Sequence, residues 1–326
     1  MARKTWVWLS GRKRPPGEYE ELSTGIQWYG DAVSQTNVGS WRQDSTVIKA
    51  DWDAFRDPSG MYYRNYIVGQ DNAERSLDAV FEVARDADFV SGIGEAWRTD
   101  LVTLVGALSH AEWGTAMAHQ HVQRFALSPT VACCAQLQVM DKLRSAERSL
   151  EWFDLIHPDG EDLISEAWMN SQALQPLRKL LEEILIVQDW AEVIVAVNIA
   201  LLGIMQPFQR EVFVRGGRAN ADFVTAALGA AFGKDGSRHA AWGDAFIKLT
   251  QTEESNATAV SDWLERYVPD AVAAFEALAA ALPVGGIAAE ALEVAKSELR
   301  ARLEALNVKR TDNVVGALEG TDQSAA

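Results

Sequence analysis

Cysteine, histidine and cationic side chains are all scarce in this sequence, and each shortage excludes something. There are two cysteines in 326 residues, Cys133 and Cys134. Adjacent cysteines cannot close an ordinary disulfide loop without strain, and no second pair or spaced histidine stands nearby to complete a zinc site. They read as small buried helix residues in a reducing compartment. Lys and Arg number 30 against 46 Asp and Glu, a formal net charge of −16. That balance repels nucleic acid and anionic membrane. The one cationic cluster, Arg12-Lys13-Arg14, reads as a solvated or partner-bound arm. Before it, the apolar stretch Trp6 to Leu9 is too short for an export signal. Ile184 to Met205 is long enough to cross a bilayer but carries Gln188, Asp189, Glu192 and Asn198, so it reads as the central helix of a soluble core. A cytoplasmic protein with no membrane or nucleic-acid partner is expected.

Catalytic signatures are also missing. A bundle that holds two iron ions uses Glu-x-x-His pairs, because residues three apart share a helix face. The five histidines are His110, His119, His121, His157 and His239, and three positions before them stand Ala107, Ala116, Ala118, Asp154 and Gly236. No Glu-x-x-His exists. His119 and His121, two apart, point to different helix faces. There is no Gly-x-Ser-x-Gly elbow and no phosphate loop. Gly92-Ile93-Gly94 has Trp97 where a dinucleotide fingerprint needs its third glycine. Two weaker groupings remain: Asp154-x-x-His157 at a helix end, and Asp189 with Glu192 on an apolar helix. For the second pair the alternatives are a metal carboxylate pair, a subunit contact, or core hydrogen bonds with Arg144 or Arg178 as mates.

What is present is helix. The hydrophobic fraction is 48%, the charged fraction 23% and the mean hydropathy −0.11, an ordinary folding composition. Apolar periodicity predicts helices over 73–87, 93–125, 128–153, 175–207, 219–232, 238–250, 257–282 and 288–306. Ser128-Pro129 supplies an N-cap followed by a first-turn proline. No period-two run is convincing, so the fold class is all-α, a bundle of long helices. Residues 1–64 differ: they hold five of the 12 tryptophans and no sustained helical period. They read as an extended aromatic arm, followed by a bundle over 65–282 and, over 283–326, an amphipathic helix with a polar tail. Aromatic side chains on such an arm suit an interface. The candidates are Trp6, Trp8, Pro15, Pro16, Tyr19, Trp28, Trp52, Phe55, Tyr62, Tyr63 and Tyr66.

Several blocks carry a family resemblance. They are Arg14-Pro15-Pro16-Gly17-Glu18-Tyr19-Glu20 with Ser23 and Thr24; Asp51-Trp52-Asp53-Ala54-Phe55-Arg56-Asp57-Pro58; Tyr62-Tyr63-Arg64-Asn65-Tyr66 with Gln70-Asp71; Cys133-Cys134 with Gln136-Leu137-Gln138; and Asp189-Trp190-Ala191-Glu192 with Asn198. In this order, over roughly residues 5 to 270, the sequence resembles the small (beta) hydroxylase subunit of bacterial multicomponent di-iron monooxygenases. The resemblance implies a ferritin-like bundle without iron ligands, paired with a larger alpha subunit that holds the di-iron centre. It also implies an alpha2beta2 assembly with or without gamma, a regulatory protein, and a reductase carrying flavin and iron-sulfur groups that draws on NADH. The complex would oxidise an alkene or an aromatic hydrocarbon with O2, and this chain would contain no catalytic, metal or cofactor site. Two other readings stay open: a stand-alone metal-binding bundle using Asp154, His157, Asp189 and Glu192, or a ligand-binding bundle unrelated to oxygenases.

Overall fold

The computed structural model describes residues 17–25, 45–158, 160–282 and 286–319. Among them the regular structure is helical and no strand occurs. In chain order the helices are α1 (Glu18–Gly25), α2 (Tyr63–Asp86), α3 (Glu95–Phe125), α4 (Pro129–Ile156), α5 (Glu161–Asn170), α6 (Gln175–Leu185), α7 (Trp190–Ala219), α8 (Phe223–Thr250), α9 (Asn256–Ala280), α10 (Ile287–Ala305) and α11 (Asp312–Glu319). Short connections at 126–128 and 220–222 make α3/α4 and α7/α8 two antiparallel hairpins. These four helices form the central bundle. α9 and α10 pack against α7 on one side, while α5 and α6 lie along α3 and α2 bridges α4 and α8.

Several expected boundaries moved, each for a local reason. The helix expected over 73–87 begins at Tyr63, because the Asn65 side chain accepts from the Tyr62 amide at 2.8 Å and caps the first turn. The helix expected over 175–207 is two. Asp189, in extended backbone, breaks it and caps α7, accepting from the Ala191 and Glu192 amides at 2.8 and 3.2 Å. Apolar spacing runs through the break, so periodicity alone could not show it. Beyond Pro207 the helix continues to Ala219, with wider π-turns at Val195–Leu201 and Val212–Gly216. Its most apolar window is 89% buried inside the protein.

The stretches 219–232 and 238–250 join in one helix, α8. Within it a glycine serves close packing: a Cβ on Gly229 would lie 2.6 Å from the Phe213 Cβ, which only a bare α-carbon avoids. Asp222 caps α8 through the Thr225 amide at 2.9 Å and accepts from the indoles of Trp97 and Trp152 at 2.9 and 3.1 Å, pinning ends of α3, α4 and α8 together. Two short helices escaped the sequence reading. α5 follows the turn at Pro158, and α11, within the expected polar tail, buries Val314 and Leu318.

The segment 45–62 is fastened to the bundle. Asn256 brackets Lys49, accepting its amide at 3.1 Å and donating to its carbonyl at 2.6 Å. Trp52 meets Trp190 edge-on with centroids 4.8 Å apart and stacks on Phe246 at 6.2 Å. Residues 18–25, expected as extended chain, form α1.

Candidate functional site

A buried polar layer crosses the central bundle, and all four core helices supply it. From α3 come Glu112 and His119; from α4, Gln138, Asp141 and Lys142; from α7, Asn198; from α8, Asp235, His239 and Trp242. Asn198 sits within the first π-turn of α7 and is 1% exposed. Its amide nitrogen donates to Gln138 Oε1 at 3.1 Å and to the His239 carbonyl at 3.2 Å. His119 Nε2 lies 2.7 Å from Asn198 Oδ1, and Trp242 donates to Gln138 Oε1 at 2.7 Å. The widened turn also presents the Asn198 carbonyl to Arg302 of α10 at 2.8 Å.

Asp141 is the hub, with no exposed side-chain surface. It accepts from the Tyr66 hydroxyl and the Gln70 amide at 2.9 Å each, and from His239 Nε2 at 2.8 Å. Arg238 completes the set with a direct ion pair. Because Gln206 donates to His239 Nδ1 at 3.1 Å, the ring is the neutral tautomer with its proton on Nε2. Asp235 pairs with Arg144 and Arg238, and Glu112 faces Lys142 Nζ at 2.8 Å with both side chains almost wholly buried.

This layer lies where a helical bundle can hold a metal. The spacing is suggestive: Gln138 and Asp141, and Asp235 and Arg238, are polar pairs three apart on facing helices. The chemistry does not fit. Each buried carboxylate is already matched by a cation of this chain: Lys142 for Glu112, Arg238 for Asp141, Arg144 for Asp235. A metal ion would have to displace an ammonium or guanidinium from a buried site. Among the described residues no three His, Cys, Asp or Glu side chains converge to hold a metal.

Burial pushes the His239 imidazole down to about 4, despite its bond to Asp141, and pushes His119 down to about 4 despite Thr115 and Asn198. For Asp141, burial acts upward, but His239 and Arg238 outweigh it and hold the carboxyl below its usual range. The signs follow from linkage. An imidazole that titrates near 6.5 unfolded and near 4 folded takes up a proton on unfolding between those values. Its stability contribution is complete above about pH 6.5 and is lost as pH falls towards 4. Asp141 acts in the same sense at lower pH. Asp100, pushed up to about 6 by burial, and Glu112, also raised by burial, act oppositely. The expected result is that His239→Gln flattens the acid-side fall of the denaturation midpoint between pH 7 and 5. An unchanged pH profile in the variant would show that His239 does not carry it.

The sequence-derived candidates are dispersed. Trp6, Trp8, Pro15, Pro16 and Trp28 lie outside the described residues. Phe55 and Tyr66 are 2% and 3% exposed, inside this chain's own core, and Trp52 is packed on Trp190. Tyr19 donates to the Asp57 amide no proton; its hydroxyl accepts from that amide at 2.8 Å, while Tyr62 donates to Glu18 at 2.7 Å and Tyr63 is 70% exposed. Asp154, His157, Asp189 and Glu192 are not brought together. His157 contacts the Arg98 carbonyl at 3.1 Å, and Asp189 caps α7 and accepts from the Val47 amide at 2.7 Å. Glu192 binds Arg266 and Tyr267 at 2.8 and 2.7 Å, so neither Arg144 nor Arg178 is its mate. Arg144 goes to Glu74 and Asp235, and Arg178 to Glu182. The sequence reading missed Glu112, Gln138, Asp141, Lys142 and Asp235. Charged residues at the inward positions of apolar helices α3 and α4 were the available signal.

The family described as Methane/Phenol/Alkene Hydroxylase matches residues 34–254. The chain belongs to that family. It is 28% identical to the hydroxylase component subunit beta of the toluene-4-monooxygenase system of Ectopseudomonas mendocina, over 92% of this chain and 96% of that protein. It is 26% identical to the hydroxylase component small subunit of propane 2-monooxygenase from Mycolicibacterium smegmatis, over 83% of this chain and 77% of that one. The solved phenol hydroxylase from Pseudomonas sp. OX1 has a chain of the same ferritin-like helical fold, with a TM-score of 0.82 at 24% identity over 95% of this chain and 96% of that chain.

Proposed function

We propose that this member of the hydroxylase family is the non-catalytic beta subunit of a soluble di-iron monooxygenase, a scaffold that assembles iron-bearing alpha chains. The observation that carries this reading is the polar layer, whose carboxylates are neutralised by Lys142, Arg144 and Arg238. In a family of oxygenase components, a bundle whose charges close on themselves suits support rather than oxygen chemistry. The di-iron centre then belongs to the alpha chain, in an alpha2beta2 assembly with or without gamma. A regulatory protein and an NADH-linked reductase with flavin and iron-sulfur groups act on that assembly in the cytoplasm. Hydrocarbons in the relatives' names, toluene and propane, support a hydrocarbon substrate bound by the alpha chain; of the two classes proposed here, alkene or aromatic, toluene supports the aromatic, while propane, an alkane, supports neither.

The test is metal content. The full chain purified alone from iron-supplemented culture is expected to hold only substoichiometric iron and to oxidise no hydrocarbon, whereas the assembled hydroxylase contains iron. One or two iron ions retained by the isolated chain, and lost in Asp141→Asn, would overturn the reading.

A further inference from the structure

The four core helices enclose a small cavity beside the polar layer. It is lined by Glu112 of α3, Lys142 of α4, Gln209 and Arg210 of α7, and Asp235 and His239 of α8. It offers the centre of a water molecule about 10 Å³, enough for one water and for nothing larger. Glu112, Lys142 and Gln209 are 2%, 3% and 3% exposed, so bulk solvent does not satisfy their polar ends.

These same three side chains hold hydrogen-bonding capacity that the described residues do not meet. Gln209 stands beside Glu112 and favours its charged form, yet the Gln209 amide nitrogen makes no hydrogen bond of normal geometry. Glu112 Oε2 lies 2.8 Å from Lys142 Nζ, but outside a hydrogen-bonding angle, so that oxygen also lacks a donor. The Lys142 ammonium has three N–H donors, and among the described residues no acceptor other than Glu112 meets them. Buried polar atoms are matched either by the protein or by ordered water, because an unmatched one costs its full desolvation.

The charges around the cavity select its occupant. Two carboxylates, Glu112 and Asp235, and two cations, Lys142 and Arg210, line it. A bound cation would meet the ammonium and the guanidinium, and a bound anion would meet the carboxylates. An apolar atom would leave all three polar groups unmatched. Water alone is neutral, small enough, and able both to accept from Lys142 and Gln209 and to donate to Glu112. That gives it about three hydrogen bonds, the usual number for a buried water.

We propose that this cavity binds one water molecule, held by Gln209, Lys142 and Glu112. The water joins α3, α4 and α7 at a point where those side chains make no direct hydrogen bond, and it becomes a member of the polar layer in its own right. The site depends on the packing of the four core helices and stands whether or not the chain has the beta-subunit role.

The experiment is a crystal structure of the full chain, alone or in its assembly, that resolves ordered water. The expected result is a single density peak within hydrogen-bonding distance of Gln209 Nε2 and of at least one of Lys142 Nζ and Glu112 Oε2. Crystals soaked in rubidium or bromide should show no anomalous signal there. Gln209→Met keeps the length of the side chain and removes the amide, and should lower the occupancy of the peak at least about twofold; the unaltered chain and its soaks carry the test if that variant fails to fold. Rubidium or bromide in the cavity would overturn the inference by assigning the site to an ion. So would direct hydrogen bonds among Gln209, Glu112 and Lys142 with no peak between them, and so would a peak at undiminished occupancy in Gln209→Met.

Discussion

Asp141→Ala destabilises the chain by about 3–5 kcal/mol, the range for stripping one partner from a buried charge pair. The carboxylate is the common acceptor for Tyr66, Gln70, Arg238 and His239. Gln70 and Arg238 keep Asp235 as a second acceptor. Among the described residues the Tyr66 hydroxyl and His239 Nε2 have no second acceptor, so two buried donors are orphaned at about 1–3 kcal/mol each. Arg238 also loses its closest counter-charge. The loss is read as a lower denaturant midpoint at unchanged slope, accompanied by faster proteolysis within α2, which Tyr66 and Gln70 tie to the bundle. A loss below about 1 kcal/mol would mean that Asp141 is not the hub its contacts describe.

Lys142→Met is expected to cost about 3–5 kcal/mol, because it leaves the Glu112 carboxylate, 2% exposed, without its cation in a buried layer. Burial already raises the Glu112 carboxyl, so the variant should recover part of its stability as pH falls and that group protonates. The double variant Glu112→Leu with Lys142→Met should be close to the parent, since replacing both members of a buried ion pair with apolar groups of similar volume is often neutral. A double-mutant cycle measures the coupling. Additive losses would show that the two side chains act separately. The cycle also bears on function, because a layer that tolerates replacement of both charges is a packing element with no chemistry to perform.

The helices were legible wherever their ends carried local chemistry. Ser128 and Pro129 marked the start of α4 in the sequence, and the Ser128 hydroxyl does accept from the Val131 amide at 3.3 Å. Errors came where two signals conflict and only packing arbitrates. At Asp189 an apolar period continued across a real helix end, because the side chains on both sides of the cap face the same core. At Gly233 to Gly236 the apolar period lapses inside a real helix, where a Cβ on Gly236 would lie 3.0 Å from the Gln206 side chain of α7. The candidate site was hidden for a third reason. Glu112 and Lys142 are 30 residues apart, and Asp141 and His239 are 98 apart, so no spacing rule relates them.

What the sequence determined by itself was the helical class and the lack of a Glu-x-x-His pattern. Long periodic apolar segments dictate helices, a net charge of −16 disfavours nucleic acid, and five histidines with no glutamate three positions before them leave no paired Glu-x-x-His set. Those properties are local or additive, so they survive without coordinates. Only the tertiary structure decided which acidic side chains are buried and which cation answers each. Burial and ion pairing depend on the distance between residues far apart in the chain, and that distance exists only once the four core helices have packed.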